Sequence, residues 1–188
     1  MIKIGITGSL ASGKTTASKI LSNTKHPLFN ADKEVQNLYK KKFFRKLISK
    51  KLKIRNNAIL KKEIKKKIIK KELSIKELEN IIHPLVRKKM REFLKKNKNK
   101  KILFFEIPLL IENKLMKIFD VIIFIKSSQK NRLKRFMLKG GDKKIFRILN
   151  KKQLNDKKKI KYSDHIVVND NNLNILKKRL SDIVKLYV

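Results

Sequence analysis

The sequence predicts an α/β protein: a mostly parallel sheet of about five strands, layered between helices on both faces. Three observations predict it. Short apolar runs are continuous rather than alternating, as strands buried on both faces are. Stretches with a helical period separate those runs. The first run opens the chain and leads through a glycine-rich loop into a helix-like segment. At 188 residues the chain suits a single domain with a sizeable core.

Ile2-Lys3-Ile4-Gly5-Ile6 is β-branched and reads as the first strand. It is followed by Gly8-Ser9-Leu10-Ala11-Ser12-Gly13-Lys14-Thr15, which fits G-x-x-x-x-G-K-[ST] at every fixed position, and then by the helix-like Thr16–Leu21. Pro27-Leu28-Phe29 is a weaker second strand candidate. Val35, Leu38, Tyr39, Phe43 and Leu47 fit one helical face, as do Leu60, Ile64, Ile68 and Leu73. Leu78, Ile81, Ile82, Leu85 and Phe93 fit a third, with Pro84 expected to start or kink a helix. Ile102-Leu103-Phe104-Phe105, Val121-Ile122-Ile123-Phe124-Ile125 and Ile166-Val167-Val168 are the later strands. Leu173, Leu176, Leu180, Ile183 and Tyr187 mark a closing helix.

Residues 33–98 hold helical patterns only, too many for one crossover, so they read as a helical insertion beside the sheet's ligand edge. Residues 139–160 carry Gly140-Gly141, many charges and few apolar anchors. They read as a lid over a ligand, the alternative being an exposed helix pair.

The chain has no Cys, which excludes disulfides, a thiolate nucleophile and a Cys-based zinc site. No apolar run approaches membrane-span length and the N-terminus lacks a secretory pattern, so a cytoplasmic protein with no membrane association is expected. The formal net charge is +37, which points toward nucleic acid. The basic residues are 44 Lys against 8 Arg, spread along the whole chain. Specific phosphate and base recognition favours the forked guanidinium. The charge therefore reads as a solvated surface, and neither a specific nucleic-acid partner nor an obligatory protein partner is expected.

The glycine loop carries the chemistry. Its glycines let successive backbone N–H groups point inward at phosphate oxygens, and the following helix adds its partial positive charge. Gly8, Ala11, Ser12, Gly13, Lys14, Thr15 and Thr16 are the expected nucleotide-binding set. Lys14 reaches the β- and γ-phosphates of ATP, and the Thr15 hydroxyl is placed to ligate Mg²⁺. The chain is thus expected to have the P-loop NTPase three-layer fold. Asn30-Ala31-Asp32 follows the second strand candidate, so Asp32 is expected at the carboxyl edge of the sheet. A carboxylate there can take a proton from an attacking hydroxyl or hold metal-bound water; the alternative is a cap for the helix from residue 33.

The loop alone does not choose among motors, switches and small-molecule kinases. The choice comes from Glu106-Ile107-Pro108-Leu109-Leu110-Ile111-Glu112-Asn113 after the third strand, taken with Gly8–Thr16, Asn30-Ala31-Asp32 and Ile82-His83-Pro84-Leu85. In order and spacing these resemble the dephospho-coenzyme A kinase family along nearly the whole chain. Arg132-Leu133-Lys134-Arg135 and Ser163-Asp164-His165-Ile166-Val167-Val168-Asn169 fit as well. The resemblance implies transfer of the ATP γ-phosphoryl group to the ribose 3′-hydroxyl of dephospho-coenzyme A. It makes Asp32 the general base, Lys14 the phosphate-binding lysine and Arg135 a basic contact to the transferring phosphates. It makes residues 1–188 a single kinase domain, with 33–98 as the acceptor-binding region and 136–160 as the lid. Glu106 stands where a carboxylate organising Mg²⁺, water or acceptor would end the third strand.

The chain departs from that family in three places. Asn30 stands where the family usually has Asp, and Lys139 falls where a lid arginine is common. The 40–60 region is shortened and lysine-rich. Another kinase of the nucleoside-monophosphate type would share loop, sheet and lid but leave Pro108–Asn113 and His83-Pro84 without an account. A nucleic-acid-binding NTPase would need a recognition module that the sequence lacks. His83 is expected to be structural, and His26 and His165 to be packing or surface residues; no metal-ligand spacing joins them.

Overall fold

A computed structural model of the chain describes residues 1–23, 26–54 and 59–188. Its elements run β1 (Ile2–Gly8), α1 (Lys14–Ser22), β2 (Leu28–Asn30), α2 (Ala31–Lys40), α3 (Lys42–Lys51), α4 (Leu60–Ile69) and α5 (Ile75–Lys96). They continue with β3 (Ile102–Glu106), β4 (Val121–Lys126), α6 (Gln129–Leu138), α7 (Lys143–Lys151), α8 (Asp156–Ile160), β5 (His165–Val168) and α9 (Leu173–Lys185). The chain divides into two compact units, Met1–Asn30 with Asn97–Val188, and Ala31–Lys96.

The first unit contains a five-stranded sheet in the order β2-β3-β1-β4-β5, parallel at every pairing. Successive side chains of a strand face opposite ways, and both faces are covered. On one face Ile4, Ile6, Ile102, Phe104, Val121, Ile123 and Ile125 pack with Ala17 and Leu21 of α1 and with Leu176, Leu180 and Val184 of α9. On the other, Phe105 meets Phe29 and Phe119 at ring-centroid distances of 6.0 and 5.3 Å. Two-sided cover is why β3 and β4 are continuous apolar runs. The last strand differs from expectation. In β5 only Val167 is buried, whereas Ile166 and Val168 are exposed, because β5 is an edge strand covered on the α9 side alone. Leu173, expected on the inner face of the closing helix, is likewise exposed at its first turn.

The second unit is helical, as expected of residues 33–98. Its core joins Leu38, Phe44, Ile48, Ile54, Leu60, Ile64, Leu73 and Ile82. The face expected from Val35 through Leu47 is split. The backbone turns extended at Lys41 (φ −83°, ψ 130°), and the phase shift exposes Phe43 while burying Phe44 and Ile48. Tyr39 and Phe44 then meet edge to face at 5.1 Å. α5 begins with a capping box: Ser74 N–H donates to Glu77 Oε2 (2.8 Å) and Glu77 N–H to Ser74 Oγ (3.1 Å). Pro84 neither starts nor ends α5 but lies inside it, at the cost of one ladder hydrogen bond. Within the region 40–60, residues 55–58 lie outside the described residues.

No helix among the described residues is long and apolar enough to cross a membrane. The sheet core sets stability. Phe104 is fully buried on the central face, so Phe104→Ala should cost about 3–5 kcal/mol of unfolding free energy. Urea denaturation followed by circular dichroism measures this.

Candidate active site

The loop between β1 and α1 is shaped by its backbone. Ala11 (φ 58°) and Gly13 (φ 96°) are both left-handed, a conformation that turns consecutive N–H groups to one side. Glycine adopts the Gly13 conformation without strain, and a Cβ there would collide with Asn169 Nδ2, so a larger residue would also have to displace that side chain. At Gly8 a Cβ would come within 2.5 Å of the Ile125 carbonyl and 2.7 Å of Ser12 Oγ, so glycine lets β1 run beside β4 up to the loop. Gly13 is also the residue that caps α1, and it has no side chain to accept from the helix's first turn. A helix start of this kind, whose first-turn N–H groups have no acceptor within their own helix, suits an anion.

Lys14 donates through Nζ to the carbonyls of Gly8 and Ser9, each at 3.0 Å, so its ammonium lies over the loop. The Thr15 hydroxyl donates to Glu106 Oε1 at 2.7 Å. The other oxygen of that carboxylate accepts from Asn30 Nδ2 at 2.5 Å. Register explains the meeting: Asn30 pairs with Glu106 across β2 and β3, and Glu106 pairs with Ile6 of β1. Glu106 is buried and stands at the carboxyl end of the sheet, where parallel α/β sheets place their ligands. Thr15 and Glu106 offer hard oxygen donors suited to Mg²⁺, which needs few protein ligands when phosphates and water complete its shell. No cluster of three or more His, Cys, Asp or Glu able to hold a metal occurs among the described residues.

Arg135, on α6, reaches the far side of the loop. Its Nη1 donates to Ser12 O (3.3 Å) and Ser127 Oγ (3.2 Å), and its Nη2 to Asn169 O (2.8 Å). Asn169 Nδ2 donates to the same Ser12 carbonyl at 2.8 Å. Asn169 follows the carboxyl end of β5, and sequence reasoning did not single it out as a site residue; its position just after a parallel strand was the available signal. Beside it, Asp170 accepts from Ser127 Oγ (2.7 Å), Ser128 N–H (2.9 Å) and Asn131 Nδ2 (3.0 Å). Asp170 thereby fixes the start of α6, the helix that carries Arg132 and Arg135. Burial alone would raise the Asp170 pKa, but these hydrogen bonds outweigh it and hold the carboxyl down at about 2.

Thr16 lies exposed in the first turn of α1. Asp32 lies in the first turn of α2, two residues along the chain from Asn30 and in the second unit. The helix begins at Ala31, so Asp32 is not its cap; its carboxylate sits where the helix dipole favours negative charge. His26 packs edge to face on Phe104 at 5.9 Å, and His165 Nε2 meets the Tyr187 hydroxyl at 2.6 Å, so both are packing residues.

Comparison with known proteins gives matches along nearly the whole chain. The family model for dephospho-CoA kinase matches residues 2–174. A dephospho-CoA kinase of Bartonella quintana is 34% identical over 87% of both chains. One of Rickettsia conorii is 33% identical over 98% of this chain and 97% of its own. Among solved structures, the dephospho-CoA kinase of Campylobacter jejuni superposes with a TM-score of 0.68 at 23% identity, covering 97% of this chain and 95% of that one.

The Asp170 carboxyl sets a pH dependence. Its folded pKa of about 2 lies below the ordinary unfolded value near 3.9, so its stabilisation is complete above that value and is lost as pH falls through about 2. Asp170→Asn lacks this contribution at neutral pH and should show a flatter stability profile between about pH 4 and 2. Urea midpoints measured across that range test it.

Proposed function

The chain belongs to the dephospho-CoA kinase family, and on that premise we propose how its residues divide the transfer of the ATP γ-phosphoryl group to the ribose 3′-hydroxyl of dephospho-coenzyme A. The observation that carries this reading is the Thr15–Glu106–Asn30 contact chain beside the anion-receiving loop. Gly8, Ala11, Ser12, Gly13 and Thr16 contribute the loop and the helix start that receive the ATP phosphates. Lys14, now on two loop carbonyls, exchanges these for β- and γ-phosphate oxygens when ATP binds.

Thr15 and Glu106 are the residues proposed to hold Mg²⁺, Thr15 through its hydroxyl oxygen and Glu106 through its carboxylate. The ion, when bound, neutralises charge on the β- and γ-phosphate oxygens. Asp32 is proposed as the general base. It accepts the proton of the 3′-hydroxyl as that oxygen attacks in line, while ADP departs. Arg135 is proposed to stabilise charge on the transferring phosphates through the loop edge that it touches. The acceptor is proposed to bind the helical residues 33–98, and the lid expected at 136–160 is proposed to be confined to its part before Gln153, because Gln153 and Asp156 are bonded to the loop and Lys159 to Glu112. Because ATP is the phosphoryl donor, the cytoplasm is the proposed compartment.

Asp32→Asn keeps the side chain's size but cannot take the proton. It should lower kcat by about 10²–10⁴-fold while leaving the dissociation constant for ATP within about twofold. Steady-state coenzyme A formation and equilibrium ATP binding check the two halves separately. An undiminished kcat would remove Asp32 from the role.

A further inference from the structure

One buried lysine takes no part in the chemistry above. Lys159, on α8, is fully buried, and a buried ammonium is tolerated only beside a compensating charge. That charge is Glu112, whose Oε1 lies 2.8 Å from Lys159 Nζ. The same oxygen accepts from the Leu154 N–H at 3.3 Å; among the described residues neither Glu112 Oε2 nor Lys159 Nζ has a hydrogen-bond partner of good geometry, so Lys159 is held by the ion pair. One carboxylate thus pins both ends of the stretch 154–159.

This stretch and the residue before it present two polar side chains to the phosphate loop. Gln153 Oε1 accepts from the Leu10 N–H at 2.9 Å, and Asp156 Oδ1 accepts from Ser9 Oγ at 2.5 Å. Asp156 and Lys159 are one helical turn apart, so fixing Lys159 fixes the direction in which Asp156 points. From α6, Arg132 Nη1 donates to Leu10 O (3.4 Å) and to Asn150 Oδ1 (2.6 Å), closing the frame on the opposite side of Leu10. The inner half of the loop, Ser12 and Gly13, is held by Asn169, Arg135 and α1. The outer half, Ser9 to Ala11, contains a non-glycine residue at positive φ, a conformation that persists only where its surroundings enforce it.

We infer that the Glu112–Lys159 ion pair makes residues 153–159 a fixed brace for the outer half of the phosphate loop, with Gln153 and Asp156 as positioning residues for the nucleotide phosphates. The inference rests on the reading of this loop as the ATP site. The brace acts through the loop. A loop already held in its binding shape loses less conformational freedom when nucleotide arrives, and the affinity gains by that amount. The effect falls on nucleotide, not on the acceptor.

The test is ADP binding by isothermal titration calorimetry, with KM values for ATP and dephospho-coenzyme A measured on the same proteins. Gln153→Ala and Asp156→Ala should each weaken ADP binding about tenfold, the scale of one lost hydrogen bond, and raise the KM for ATP in parallel. The KM for dephospho-coenzyme A should stay within about twofold. Asp156→Asn, which still accepts from Ser9 Oγ, should restore most of the affinity. Lys159→Met alone strands the Glu112 charge, so it is combined with Glu112→Gln; this double variant, with folding checked by circular dichroism, should bind ADP as weakly as Asp156→Ala. Wild-type affinity in Gln153→Ala and Asp156→Ala overturns the brace, as does an equal rise in both KM values that follows a loss of thermal stability. Failure of the wild-type protein to bind ADP at all overturns the reading of the loop itself, and the brace with it.

Discussion

Parallel pairing of β1 on both of its sides is the constraint on which the site depends. β1 lies between β3 and β4, and its registers with them decide what meets at the carboxyl end. The β3 register carries Glu106 level with Ile6, and the β2–β3 register carries Asn30 level with Glu106. Pairing with β4 brings the Ile125 carbonyl against Gly8. A one-residue slip would turn each strand's inward side chains outward and remove the Glu106 carboxylate from Thr15. The phenylalanine and isoleucine core that holds the register is therefore also what aligns the phosphate loop with its acidic neighbour.

The charge of the molecule has a matching internal economy. Against 52 basic residues there are 15 Asp and Glu, and several of these few acids serve the loop or its supports. Glu106 takes Thr15 and Asn30, Glu112 takes Lys159, Asp156 takes Ser9, and Asp170 takes the start of α6. Exposed pairs such as Lys70–Glu72 and Lys185–Asp182 contribute little by comparison, roughly 0–1 kcal/mol for such contacts in water. Arg132 shows the same economy from the basic side. Burial draws its pKa below the ordinary arginine value, and the nearby carboxylates of Asp156 and Asp170 oppose that shift. The lysine excess remains on the surface, where it attracts anions and is screened by salt.

Much of this was legible in the sequence, for a physical reason in each case. β1, β3 and β4 were legible because both of their faces are covered, which demands unbroken apolar runs. Gly8, Gly13, Lys14 and Thr15 were legible because phosphate binding fixes residue type and spacing together. The α2–α3 break was not, since Lys41 carries no glycine or proline signal and Phe43 and Phe44 are equally apolar; only the tertiary core selects Phe44. Nor were Gln153, Asp156 and Lys159 legible in a lysine-rich stretch, where Lys159 is one of many and its burial depends on Glu112, far away in sequence. Asn169 has its role through the close approach of Gly13, which no local pattern encodes.

The central claim is that this phosphate loop serves one acceptor, the ribose of dephospho-coenzyme A. Its most direct test is product formation from Mg-ATP by the purified protein at moderate salt, with dephospho-coenzyme A, adenosine, AMP or RNA supplied in turn. The predicted result is ADP release stimulated by dephospho-coenzyme A alone, with a new 3′-phosphate on the product by phosphorus NMR. ADP release stimulated by AMP or RNA, with dephospho-coenzyme A recovered unchanged, would contradict it.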